Sequence, residues 1–208
     1  MGFWKFAIGT TTVSFAAYFA ADSYLRNQID DITLKQCPSL KLNNILKQPA
    51  KGTYFAYTDV FKGEIKNSNV SLDEIRNKFF SQSFITNLPS SFDLQTVSQS
   101  KNFWDTKFSE VFSWRWSDKS LLKFFESAAS WGYPFRLMNG GYQELYIEKK
   151  PDSSGYNVFY ANSHEYNDLN DGKVIPQFTQ SLHKTYARFI LWSFVRSLNN
   201  ERTDSTSR

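Results

Sequence analysis

Apolar and polar positions change rhythm several times along the chain, and each rhythm predicts an element. Residues 53–65 are rich in Tyr, Phe, Val and Thr between Gly52 and Asn67, which predicts a strand. Ser71 and Glu74 have capping-box spacing, opening a helix that buries Leu72, Ile75 and Phe79 and ends near Gln82. Residues 83–108 follow no single period. Residues 110–117 alternate, with Phe112, Trp114 and Trp116 on one side and Ser113, Arg115 and Ser117 on the other, as a half-buried strand does. Ser117 or Asp118 caps a helix with Leu121, Leu122, Phe125, Ala128 and Ala129 on its apolar face, stopped by Gly132 and Pro134.

Asn139-Gly140-Gly141 is a hairpin signal between strands at 135–138 and 142–149. The turn 151–155 leads to a strand at 156–162, which completes a three-stranded antiparallel meander. A polar loop over 163–177 and a helix from Gln177 to Asn199 finish the pattern. The fold class expected is α+β, an antiparallel sheet with helices packed on one face and a long C-terminal helix. A curved sheet wrapped over such a helix resembles, at the level of the fold, the START and polyketide-cyclase group of lipid and small-ligand carriers.

The amino terminus stands apart. Phe6 to Ala21 is uncharged, with Lys5 before it and Asp22 after it. As a helix this stretch spans roughly 24 Å, and the flanking Phe3, Trp4, Tyr24 and Leu25 extend it with interfacial residues. A single-pass transmembrane anchor is favoured over a cleaved secretory signal, which lacks a clean cleavage site, and over a buried amphipathic helix, which lacks a polar stripe. The organisation expected is an anchor over 1–26, a linker over 27–52, one α+β domain over 53–200 and a polar tail over 201–208. Lys5 on the matrix side places the domain in the intermembrane space at the mitochondrial inner membrane, with the endoplasmic reticulum as the alternative.

Composition narrows the chemistry. A single Cys excludes an intramolecular disulfide framework and a multi-Cys zinc site, and two His argue against a His-rich metal centre. A net charge of +4 is small for a nucleic-acid binder. No phosphate-binding glycine motif, nucleophile elbow or zinc-protease motif occurs, so no cofactor or metal is expected. The 20 Phe, 11 Tyr and 6 Trp are enough to build a dense core or line an apolar cavity.

Two residue sets are candidates for function. Trp114, Trp116, His183 and Tyr186 could line a ligand site between sheet and final helix, with Phe55, Tyr57, Phe112 and Tyr146 as further walls. Lys184, Arg188, Trp192 and Arg196 recur every four residues and form one stripe on that helix, a surface for anionic lipid or a protein partner. The first expectation is a membrane-anchored, non-catalytic assembly or organising factor. The alternatives are a START-like carrier or sensor of a hydrophobic ligand, and an enzyme using His183 or His164. An apolar cavity of about 300 Å³ or more favours the carrier, and polar groups converging on a His favour the enzyme.

Overall fold

The computed structural model describes residues 16–66, 69–81, 92–101 and 106–205. Residues 16–26 form helix α1. Then come β1 (Asp30–Ile32), α2 (Leu42–Ile45), β2 (Thr53–Ile65), α3 (Leu72–Phe80), β3 (Phe92–Lys101) and β4 (Lys107–Trp116). Helix α4 (Ser120–Ser130), β5 (Gly140–Lys149), β6 (Tyr156–Asn167) and α5 (Gln177–Ser205) complete the chain. The strands make one antiparallel sheet in the order β1-β2-β6-β5-β4-β3.

The period of two sorts the strands into two faces. On one face Phe61, Ile65, Phe108, Leu145, Ile147, Val158 and Tyr160 pack against Ile75 and Phe79 of α3 and Ile190, Leu191, Phe194 and Leu198 of α5. Gly63 makes this approach possible, because a Cβ there would lie 2.9 Å from a Val195 methyl. Helix α3 starts as its capping residue predicts, with the Ser71 hydroxyl accepting from the Glu74 amide.

Residues 27–52 are not a linker. They bury Ile29 in the first core and Cys37, Leu40 and Leu42 against Val60, Tyr146, Phe159 and Ala161 on the opposite face. Glu144 fastens them, since its carboxylate accepts the Lys41 and Leu42 amides at the start of α2 and the Ser109 hydroxyl. The expected helices on one face are thus joined by a short cover on the other.

The N-terminal transmembrane helix in the expected fold class is corrected. Among the described residues no helix is long and apolar enough to cross a membrane. Helix α1 instead lies on the domain. Tyr18 meets Thr185 at 3.2 Å, and Asp22 accepts from Thr185, Arg26 and Arg188. Counting uncharged residues up to Ala21 overlooked that the next residue, Asp22, is the helix's attachment to α5. Residues 1–15 of the expected anchor lie outside the described residues.

Two local expectations also change. Gly140 and Gly141 belong to β5, not to a hairpin turn, and pair with Glu165 and His164. The polar stretch after Asn162 continues as strand to Asn167.

Candidate functional site: a cleft between sheet and C-terminal helix

Helix α5 lies over β2 and the neighbouring strands, which leaves a cleft toward β4 and β3. Its walls are Leu94 of β3, Trp114 and Trp116 of β4, Met138, and Tyr186, Ala187 and Ile190 of α5. The cavity is about 250 Å³. A second cavity of about 190 Å³, between α3 and the same strands, adjoins it and shares Leu94, Gln143 and Tyr160.

Trp114, Trp116, His183 and Tyr186, which the sequence singled out together, all line the first cavity. The Trp116 indole donates to the Met138 carbonyl at 2.7 Å, which fixes one wall. Trp114 stands edge to face with Trp116. It can lie flat across β5 because its neighbour is Gly141, where a Cβ would come within 2.8 Å of the Trp114 indole nitrogen and 1.9 Å of the Ser163 carbonyl oxygen.

The floor is polar. Asn162 of β6 and Gln143 of β5 are directly opposed across the strand pair, and both line the cavity. Asn162 is 2% exposed, and neither its amide nitrogen nor its amide oxygen has a protein partner. Beside it, His164 and His183 meet Nε2 to Nε2 at 3.4 Å with their rings nearly perpendicular. Tyr57 stacks on His164 at 4.1 Å between ring centres.

Burial holds both imidazoles below their ordinary pKa. For His164 the nearby His183 adds to the effect; for His183 the Asp59 carboxylate opposes it. Asp59 pairs with Lys184 at 3.1 Å, yet its own burial pushes its carboxyl up.

Other expected wall residues separate. Phe112 lines the adjoining cavity. Tyr146 packs on the opposite face with Phe159, because it alternates with Leu145. Phe55 and Tyr57 also part company, although they are two residues apart. The pairing with β6 shifts between them, so Phe55 opposes Glu165 while Tyr57 opposes His164. Asn162, His164 and Gln143 were not singled out together from sequence. A signal was present: Tyr156, Val158 and Tyr160 are followed at the same period by Asn162 and His164, polar residues in core positions.

No protein-family model and no curated protein matches the chain. Among solved structures it is similar to the Saccharomyces cerevisiae Ran-binding protein Mog1p, with a TM-score of 0.30, 9% identity, and coverage of 74% of this chain and 80% of that one. A likeness of this degree says nothing about the cleft.

The chain itself covers the middle of the basic stripe, at Arg188 and Trp192, and leaves Arg196 exposed at one end. Arg188 is 0% exposed, forms ion pairs with Asp22 and Asp31, and lies over the Phe61 ring. Lys184 is held by Asp59. Trp192 is partly buried, edge-on to Tyr24, with the Arg196 guanidinium 5.0 Å from its ring centre. The helical spacing was right for one face, but β1, β2 and α1 supply the acids that occupy it.

Proposed function

We propose that the protein binds a small apolar molecule in the cleft between α5 and the β3–β4–β5 part of the sheet, as a carrier or sensor. The observation that carries this reading is the cavity wall of Leu94, Trp114, Trp116, Met138 and Ile190, closed at one end by a polar floor. Sites for small ligands combine apolar walls with a few placed polar groups in this way. The 250 Å³ cavity is smaller than the 300 Å³ expectation, and the adjoining cavity extends it. Among the described residues the lining holds no Ser, Thr, Cys, Lys or carboxylate. This favours binding over nucleophilic chemistry, although His183 stands at the wall.

The test is titration with a neutral fluorescent apolar probe, N-phenyl-1-naphthylamine. Saturable binding near one equivalent is expected. Leu94→Trp, at the rim, should abolish it with an unchanged circular-dichroism spectrum. No saturable binding, or equal binding by the variant, overturns the reading.

A second reading keeps the protein-interaction role. Helix α4 buries none of its residues, and Phe124 and Trp131 are 60% and 81% exposed. Such a patch marks an interaction surface. A photo-crosslinker at position 124 should capture a discrete partner in cells, and the absence of any adduct counts against it.

A further inference from the structure

We infer that the ligand received by this cleft carries an uncharged polar end of the carboxamide class, taken up by Asn162 and Gln143; the inference rests on the cleft being a ligand site. Two carboxamide side chains face each other across β5 and β6 at the cavity floor. Asn162 is almost fully buried, and its amide nitrogen and oxygen both lack a protein partner. Buried polar groups are normally hydrogen-bonded, and an unmade bond costs more than a made one gains. One vacant donor beside one vacant acceptor is complementary to a group that presents an acceptor and a donor side by side, which is what a carboxamide does. His183 adds a third buried atom without a protein partner, its Nδ1, in the same wall.

Charge argues for neutrality of the ligand. Among the described residues no Lys, Arg, Asp or Glu lines the cavity. Two flanking pairs close on themselves: Lys184, next to His183 in the chain, with Asp59 at 3.1 Å, and Arg76 of α3 with Glu110 at 2.7 Å. A carboxylate would satisfy the Asn162 amino group but would leave its own charge without a cation in an apolar site. An alkane would leave the buried Asn162 carboxamide unpaired. Sites built to hydrogen-bond a polar group discriminate strongly against the analogue that lacks it.

The experiment displaces N-phenyl-1-naphthylamine from the full chain with octanamide, octanoate or n-octane, and repeats the series with Asn162→Leu and Gln143→Leu. Octanamide should bind about tenfold or more tightly than either of the others. The Leu variants should lose that preference, Asn162→Leu more completely, and gain affinity for the alkane. If the three compounds displace the probe equally from the wild type, the floor is satisfied by water alone and the inference fails while the cleft remains a binding site. If octanoate binds best, the neutral-ligand argument fails. If the probe itself does not bind, both readings fail. The wild-type comparison does not depend on either variant folding.

Discussion

Arg188 and Asp22 stand 166 residues apart in the chain and 3.0 Å apart in the fold. The guanidinium also bonds Asp31, so one fully buried cation ties α1, β1 and α5 together. Burying the cation is costly, and removing it takes the nearest cation from Asp31 and one of three donors from Asp22 while emptying a fully buried site. Arg188→Ala should lower the unfolding free energy by about 3–5 kcal/mol in urea titrations. The triple change Arg188→Met, Asp22→Asn, Asp31→Asn should recover most of that loss. Equal damage from the single and triple variants would show that packing, not charge, holds this corner.

Acid should destabilise the domain through the histidine pair. Both imidazoles are held below the ordinary value by burial, so in the range below about pH 6.5 the unfolded chain binds protons that the folded chain refuses. Stability is therefore greatest above that pH and falls as pH decreases. Around the pair lie Tyr57 and Asp59 of β2 and Lys184 of α5, and only Asp59 favours a protonated His183. Urea midpoints at pH 7.5 and pH 5.5 should differ clearly, and His183→Gln should reduce the difference. Midpoints that coincide would mean the pair is solvated.

At Asp22 burial pushes the carboxyl up, but hydrogen bonds from Thr185 and Arg26 and the charges of Arg26 and Arg188 outweigh it, so the net shift is downward. Its contribution is present above the unfolded value near 3.8 and disappears as pH falls through the lower folded value. A second, lower acid transition should accordingly be absent from Asp22→Asn, as followed by tryptophan fluorescence.

Gly141→Ala should be severe. Its Cβ would lie 1.9 Å from the Ser163 carbonyl oxygen, a backbone atom that cannot swing away. A loss of about 3 kcal/mol or more, with altered Trp114 emission, is expected. Gly52→Ala meets nothing within 4 Å and bears only the strain of φ +80°, so its cost should stay near 1 kcal/mol. Thermal melts of the two variants check this, and a reversed order would show that the close contact at Gly141 is readily relieved.

Substitutions on α4 should hardly register. Phe124→Ser and Trp131→Ser remove exposed side chains and should shift stability by about 0.5 kcal/mol or less, whereas Phe79→Ala should cost about 3–5 kcal/mol. A large loss from the α4 variants would show that this patch is packed in solution.

Legibility in the sequence followed the strength of the local pattern. Thirteen residues of β2 and the Ser71 cap were readable because enrichment in β-branched and aromatic residues and a capping oxygen are local signals. The anchor, the linker and the hairpin failed because their answers lie far away: Asp22 is explained by Arg188, Leu42 by Glu144, and Gly141 by Trp114. Asn162 looked like the end of a strand and His164 like loop, because polar residues broke the apolar period of β6. They are core positions where the hydrophobic rule is suspended, which is where a binding site is expected. The grouping of Trp114, Trp116, His183 and Tyr186 came from one strand face and one helix face, and the fold places those faces around one cavity.

Strand β2 acquires its β6 partner late. Ile65 pairs with Tyr156 and Thr53 with Asn167, so even the nearer end of that ladder waits for about 90 further residues to be made. At roughly 5–20 residues per second of synthesis, thirteen residues of apolar strand edge stay open for about 5 to 20 s on the ribosome. Slowing the ribosome between residues 65 and 167 lengthens the interval in which this edge of the nascent chain stays unpaired.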